Sequence, residues 1–165
     1  MTMAQTHIAR ALHDEHMATL ALLARLESLL GQHPPAEPPE AAAPAVAALL
    51  DDFAAAVGRE VATHFAFEER ALFPLLDEPE MTGQLIAEHA ALLAAARRLA
   101  LAAGEARAHG FEAASWRTFH ATAGGLCSAL TAHIEKEEMG LLAALDATLD
   151  AETDASLAID YAAEH

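Results

Sequence analysis

The chain contains little of the material from which disulfides, β-sheets and cationic surfaces are made. Its 165 residues include one Cys, one Trp and one Tyr, and 9 Lys and Arg stand against 25 Asp and Glu. A single cysteine excludes an intrachain disulfide and a zinc–thiolate cluster. The formal net charge of −16 would repel phosphate backbones, so nucleic acid is not an expected partner.

Long uncharged apolar runs are also missing. A membrane-spanning helix needs about 18 or more consecutive apolar residues, and the sequence has no such run. The opening stretch, MTMAQTHIARALHDEHM, carries charges where a signal peptide requires an apolar core. We therefore expect a cytoplasmic protein with no membrane partner.

Alanine and leucine are abundant instead, and hydrophobic residues make up 54% of the chain. This composition favours helices and is poor material for strands. Clusters of Pro and Gly divide the chain into four predicted helices, at 3–31, 44–77, 80–104 and 112–148. Because short connections make successive helices antiparallel neighbours, the sequence predicts an all-α fold, an up-down-up-down four-helix bundle.

One domain is enough for a chain of this length. We expect residues 1–150 to form the bundle. Residues 151–165 are acidic and only weakly amphipathic, so they are expected to be a C-terminal tail or a short helix.

An internal repeat is the most informative feature of the sequence. The segment HFAFEERALFPLL at 64–76 returns as HIEKEEMGLLAAL at 133–145, which is 69 residues later. Each copy follows a Glu-His pair, beginning at Glu15 and at Glu88, and these pairs are 73 residues apart. The pattern predicts a duplicated two-helix unit.

Each predicted helix has an apolar stripe that contains a histidine. On the second and fourth helices a His-x-x-x-Glu spacing puts a carboxylate on the same face, because positions four apart share a face of a helix. The side chains predicted to point into the bundle are His16, His64, Glu68, His89, His133 and Glu137.

Two divalent metal ions would explain why polar residues interrupt these apolar stripes. Burying two carboxylates without partners is costly, whereas cations would neutralise them and bind the imidazoles. Imidazole with carboxylate suits iron, manganese or zinc, and the lack of thiolates argues against copper(I) or iron–sulfur chemistry. Glu68 and Glu137 are the candidate bridges. The alternative is a bundle with hydrogen-bonded core histidines and no metal.

These residues resemble the hemerythrin-like, or HHE cation-binding, domains over residues 8–146. The resemblance implies a four-helix bundle that holds a non-haem di-iron centre. It assigns the same ligands: His16 from the first helix, His64 and Glu68 from the second, His89 from the third, and His133 and Glu137 from the fourth. The continuation EERALFPLL at 68–76 is also similar to that of the family.

The sequence departs from the oxygen-carrying hemerythrins at two places. Those carriers have a second histidine on the third helix where this chain has Leu93, so one metal would have fewer protein ligands. They also place an Asp five residues after the fourth-helix histidine, where this chain offers Glu137 at four and Glu138 at five. We favour Glu137, because position five lies about 140° around the helix from the histidine. The resulting ligand set is closer to the sensing, iron-handling and stress-response members of the family.

Three functions follow as hypotheses. The first is a protein with two iron ions, for which manganese or zinc are substitutes, that binds or senses O2, peroxide or NO, with the ligand entering near Leu93. The second is an iron-handling or iron-sensing module that signals metal occupancy to a protein partner. The third is a di-iron oxidoreductase acting on peroxide or NO. No dedicated substrate pocket can be recognised in the sequence, so we expect a binding protein rather than a dedicated enzyme.

The remaining histidines and carboxylates are weaker candidates. His13 is one turn before His16 and is expected to be exposed, although a place beside the site is the alternative. Glu69 and Glu138 are expected to be solvated rather than to support the ligands. His33 and His120 lie about 25 Å and about 20 Å along their helices from the nearest candidate ligand, so neither is expected to reach the site.

Overall fold

The computed structural model describes residues 6–165, in which all regular secondary structure is helical. This confirms the all-α prediction. Five helices follow one another, and two of them contain π turns, in which the backbone hydrogen bond spans five residues. They are α1 (His7–Gln32), α2 (44–75, with π turns at Val57–Val61 and Glu68–Leu72), α3 (Pro79–His109), α4 (113–148, with a π turn at Glu137–Leu141) and α5 (Ala151–Glu164).

The helix starts follow local sequence signals. The predicted start of the first helix, at residues 3–5, lies outside the described residues, and α1 begins at His7 after Thr6, whose hydroxyl accepts the Ala9 N–H at 3.3 Å. Pro44 and Pro79 open α2 and α3. Proline suits a first helical position because its missing N–H would have no helical acceptor there.

The predicted end of the third helix was wrong by five residues. We expected a break from Gly104 onward, but α3 continues to His109 and ends at Gly110, whose φ of 81° lies in the left-handed region. Gly104 is exposed, while Ala103 and Ala106 on either side of it are buried. A glycine inside a helix costs only about 1 kcal/mol relative to alanine, so the continued packing of the alanines outweighs it.

Helices α1 to α4 contact one another in a closed ring, in which each helix packs on the next and α4 packs on α1. The interior of the ring contains two apolar clusters. The larger includes Leu26, Phe53, Leu99 and Trp116, and the smaller surrounds Phe67. No helix within residues 6–165 has both the length and the apolar character needed to cross a bilayer.

The C-terminal residues form helix α5, which packs on α1. Its buried Asp154 accepts hydrogen bonds from the backbone N–H groups of His7 and Ile8, both at 2.9 Å. The first N–H groups of a helix have no partner within that helix, and here a carboxylate from another helix supplies one. Leu157 and Tyr161 are buried on the same face of α5.

Replacing Asp154 with Ala should lower the free energy of unfolding by about 1–2 kcal/mol, the usual effect of removing a carboxylate that caps a helix. Chemical denaturation followed by circular dichroism measures this. The exposed Asp160 on the same helix provides the control, and Asp160→Ala should change stability far less. Equal effects of the two substitutions would contradict the capping role.

Candidate metal centre

The six residues predicted to point inward are all buried. His16, His64, Glu68, His89, His133 and Glu137 are each at most 6% exposed. One histidine comes from each of helices α1 to α4, and the two glutamates come from α2 and α4. Their polar atoms form two groups that face each other inside the ring of helices.

The first group consists of His16, His64, Glu68 and Glu137, whose ligand atoms all lie within 4.8 Å of one another. The Nε2 atoms of His16 and His64 are 3.2 Å apart. Glu68 Oε1 lies 3.2 Å from His64 Nε2, and Glu137 Oε2 lies 3.2 Å from His16 Nε2. Two imidazoles and two carboxylate oxygens therefore converge on one point.

The second group consists of His89, His133 and Glu137. Glu137 Oε1 lies 3.2 Å from His89 Nε2 and 2.9 Å from His133 Nε2. Glu68 also reaches this side, since its Oε2 lies 3.3 Å from His89 Nε2. Each carboxylate thus turns one oxygen to the first group and the other to the second, which is the arrangement of a bridging ligand.

Four of these atoms make no hydrogen bond of suitable geometry within residues 6–165, although each lies 2.9–3.3 Å from an imidazole or carboxylate of the other sign. They are Glu68 Oε1, Glu68 Oε2, His133 Nε2 and Glu137 Oε2. Such atoms are costly to bury, because they have given up hydrogen bonds to water. All four are atoms of types that bind metals, so the donor set fits divalent cations of the kind that imidazole and carboxylate bind.

The local field also favours positive charge. Burial by itself would lower the pKa of His64, but the carboxylates of Glu68 and Glu15 outweigh it and raise this pKa to about 10. Burial would also lower the pKa of His89, but Glu137 and Glu68 outweigh it and raise this pKa to about 9. The pKa of Glu137 is held well below its usual range, because three imidazoles offset the effect of its burial. Metal ions bound here would replace protons as the positive charge.

The outer nitrogen of every candidate ligand histidine is bonded to a carboxylate on the preceding helix of the ring. These four bonds connect Glu15 of α1 with His64 of α2 at 2.6 Å, Glu69 of α2 with His89 of α3 at 2.8 Å, Glu88 of α3 with His133 of α4 at 2.9 Å, and Glu138 of α4 with His16 of α1 at 2.7 Å. We call this set the carboxylate ring. With Nδ1–H donating to a carboxylate, the Nε2 lone pair of each imidazole is directed at the centre.

Glu69 and Glu138 are partly exposed, with side chains 38% and 20% accessible, and each also bonds a candidate ligand histidine. Both lie on the flank of their own helix, as their angle from the ligand histidine indicated. That flank is where the histidine of the neighbouring helix presents its Nδ1 atom. The signal was present in the sequence as the second Glu of each repeat, but its partner belongs to another helix, which helix periodicity alone does not identify.

Three other histidines were weaker candidates in the sequence, and none of them belongs to either ligand group. His13 is partly exposed, and its Nδ1 lies 2.9 Å from Glu138 Oε2, so it touches the carboxylate ring rather than the centre. His33 packs edge-on against Trp116, and His120 Nε2 is 3.1 Å from the carbonyl oxygen of Leu30. Neither belongs to the two ligand groups.

A π turn begins at each candidate bridging glutamate, at Glu68 and at Glu137. Such turns occur often at functional sites, because they change the direction of neighbouring side chains within a continuous helix. Here each turn carries two consecutive glutamates, of which the first faces the centre and the second bonds a histidine of the next helix. A third π turn, Val57–Val61, lies nearer the start of α2.

A cavity of about 50 Å³ reaches the first group only. His16, His64 and Glu137 form its inner wall, and Ala18 and Glu60 at its outer end are exposed. A second cavity of about 30 Å³ adjoins it and is lined partly by the π turn Val57–Val61. Leu93 lines neither cavity and packs against the larger apolar cluster instead.

One comparison with known proteins gives a match. A family model described as the hemerythrin HHE cation binding domain matches residues 7–145. No curated protein and no solved structure matches the chain. The matched range contains all six candidate ligands and the carboxylate ring, and it ends before α5.

Substitution of the ligands should remove metal in a graded way. His64→Ala takes one imidazole from the first group only, so bound divalent metal should fall by about half, whereas Glu137→Ala should abolish binding at both groups. Elemental analysis of the purified variants measures this. His109 is the matched control, because its side chain is 76% exposed and its replacement by Ala should leave metal content unchanged. Equal metal content in all three variants would rule out the assignment.

The carboxylate ring should matter for affinity. Glu138→Ala frees the outer nitrogen of His16 and should weaken metal binding by about 10- to 100-fold, as is typical for the hydrogen-bond partner of a ligand histidine. Competition with a metal chelator measures the change. Glu135→Ala removes an exposed carboxylate from the same helix and should have little effect, which separates a local role from the loss of one negative charge.

Proposed function

The chain belongs to the hemerythrin HHE cation-binding domain family, and on that premise we propose that it is a non-haem di-iron protein that binds or senses O2, peroxide or NO. The family membership and the buried His/Glu cluster together indicate cation binding. Iron as the metal, a count of two ions and the small ligand are the parts that we propose.

A count of two ions is supported by the two oxygens of each buried glutamate. Glu68 and Glu137 each present one oxygen to the His16–His64 side and one to the His89–His133 side. The ligand atoms fall into two groups, so one ion would be held by His16, His64 and the two glutamates, and a second by His89, His133 and Glu137. Bound iron would supply a redox-active centre with coordination positions open to a small ligand.

The residues of the chain hold and protect such a centre. The carboxylate ring keeps the Nε2 lone pairs aimed inward, and the two apolar clusters pack on either side of the centre. Phe65 stacks on the His89 ring at a centroid distance of 4.0 Å with the planes 5° apart, and Phe73 lies on the same ring at 5.7 Å. These contacts restrict the ring of His89 to one orientation.

The cavity between α1 and α2 is the route that we propose for a small ligand. It differs from the entry expected near Leu93, because Leu93 is packed into the larger apolar cluster. A cavity of about 50 Å³ exceeds the space that a single water molecule needs, so it can admit a diatomic molecule. It leads to the His16–His64 side alone, which makes this side the proposed ligand position.

The second candidate function, iron sensing, is favoured by the buried candidate ligand atoms that make no hydrogen bond of suitable geometry. Metal ions would satisfy the four buried atoms that lack well-oriented hydrogen bonds, so metal binding would contribute to folding stability. A protein whose fold depends on occupancy can transmit that state to a partner. The oxidoreductase hypothesis has no such observation in its favour and stays a prediction, as does the cytoplasmic location.

We also propose that α1 to α4 form an antiparallel up-down-up-down bundle built from two copies of a two-helix unit. Connections of three to eleven residues between successive helices support it, as does the carboxylate ring. Residues 73 positions apart on α1 and α3, and 69 positions apart on α2 and α4, make the same bonds in that ring.

The test is metal analysis of protein purified without oxygen, followed by optical spectra before and after air is admitted. Two irons per chain and a new visible band after exposure to air are expected. Two irons without any spectral response to O2, peroxide or NO would leave iron sensing as the function. Absence of bound metal would overturn both proposals.

Narrowing the cavity should slow ligand binding without removing metal. Val61 lines the cavity, and Val61→Phe should reduce the association rate of NO or O2 at least several-fold, because the larger ring fills the passage. Stopped-flow absorbance measures the rate. Ala66→Phe places the same ring at an exposed position of α2 and should leave the rate unchanged. Equal rates in both variants would place the ligand route elsewhere.

A further inference from the structure

The two halves of the carboxylate ring differ in the residues that contact their carboxylates, and one of these differences concerns Glu88 and Glu15. On the His133 side, Glu88 is bonded both to His133 and to the ammonium group of Lys136. On the His64 side, the residue that corresponds to Lys136 is Phe67, which lies 69 positions earlier. Phenylalanine has no donor, so the repeat by itself leaves Glu15 without the second partner that Glu88 has.

Helix α5 supplies that missing partner. The hydroxyl group of Tyr161 donates a hydrogen bond to Glu15, and its oxygen lies 3.1 Å from Nδ1 of His64. The Tyr161 ring packs edge-on against Phe67 at a centroid distance of 4.9 Å and stacks on His165 at 4.0 Å. Tyr161 is only 4% exposed, so its contact with the carboxylate is enclosed by these rings.

Two further contacts hold α5 in this place. Asp154 bonds the first N–H groups of α1, near the start of the helix. At the other end, Glu164 pairs with Arg70 at 2.5 Å, and Arg70 is two residues after the candidate bridge Glu68. The position of Tyr161 is therefore set by both ends of α5, although α5 lies outside the residues 7–145 that match the family.

We propose that Tyr161 is a positioning residue for the His16–His64 metal position, so that docking of α5 and occupation of this position stabilise each other. The proposal rests on the function proposed above. Tyr161 fixes Glu15, and Glu15 fixes the ring orientation and the tautomer of His64. The His89–His133 position uses Lys136 of α4 in the same role and does not depend on α5.

Reciprocity follows from thermodynamic linkage. If docking of α5 raises the affinity of the His16–His64 position by some factor, metal at that position favours the docked helix by the same factor. Occupancy of one of the two positions would thereby change the exposure of a terminal helix. A protein partner that binds the exposed helix would then respond to metal occupancy, as the sensing hypothesis requires.

The first experiment compares Tyr161→Phe with Lys136→Met. Both remove one partner of a ring carboxylate, but on opposite sides of the centre, and Tyr161→Phe keeps the aromatic packing. The variants are titrated with ferrous ⁵⁷Fe under anaerobic conditions and followed by Mössbauer spectroscopy. In each variant the affinity for one of the two irons should fall by about 10- to 100-fold. The two variants should affect different iron signals.

A purely structural role for Tyr161 gives another result. General loosening of the fold would weaken both irons together, and a tyrosine without any role would leave both unchanged. Either outcome overturns the proposal. A wild-type chain that binds no iron would instead overturn the proposed function, so the two failures are distinguishable.

The second experiment measures hydrogen exchange of the α5 amides in the full chain with and without ferrous iron. Iron should slow exchange across 151–164 in the wild type and have a much smaller effect in Tyr161→Phe. Asp154→Ala loosens α5 from a contact that does not involve the site, and it should weaken the same iron as Tyr161→Phe. Identical exchange with and without iron in the wild type would disprove the coupling.

Discussion

The carboxylate ring is the interaction on which the rest of the site depends. Four imidazoles in an apolar interior would be free to rotate and to choose either tautomer, and only one choice directs all four Nε2 atoms inward. Because each carboxylate comes from the preceding helix, the same bonds that orient the imidazoles also connect α1 to α2, α2 to α3, α3 to α4 and α4 to α1. The same four hydrogen bonds therefore contribute both to the geometry of the site and to the arrangement of the helices.

The centre itself opposes folding unless positive charge is present. Glu68 and Glu137 have no measurable exposure, and a buried carboxylate is tolerated only when it is paired. The apolar clusters on either side of the centre provide stabilisation that offsets this cost. The larger cluster includes Trp116 and Phe119, and the smaller includes Phe67, Leu72 and Leu141. The buried carboxylates therefore lower the stability of the fold locally, and the surrounding apolar packing compensates for this.

Sequence periodicity indicated which polar side chains are buried together but not which residues surround them, for a physical reason. Positions four apart on one helix share a face, so His64 with Glu68 and His133 with Glu137 could be recognised from spacing. The roles of Glu69 and Glu138 depend on which helix lies beside theirs, and this is a property of packing. The same holds for Tyr161, since nothing in the acidic segment 151–165 indicates that its one tyrosine reaches a carboxylate on α1. The starts of α2 and α3 were predictable because proline determines them. The end of α3 was not, because buried alanines on both sides of Gly104 keep the helix intact.

The two halves of the site have equivalent ligands but different surroundings, and this difference bears on what each half can do. The His16–His64 side adjoins the cavity between α1 and α2 and is covered by α5. The His89–His133 side is closed by Phe65 and Phe73, which stack on His89. Two identical sets of donors would give two identical cations only if access and hydrogen bonding were also identical. Because both differ here, the small ligand that we propose would meet the His16–His64 side first, and a cation at the His89–His133 side would lie in the more enclosed environment. The asymmetry arises from residues outside the ligand set, so it can vary between chains that share the same six ligands.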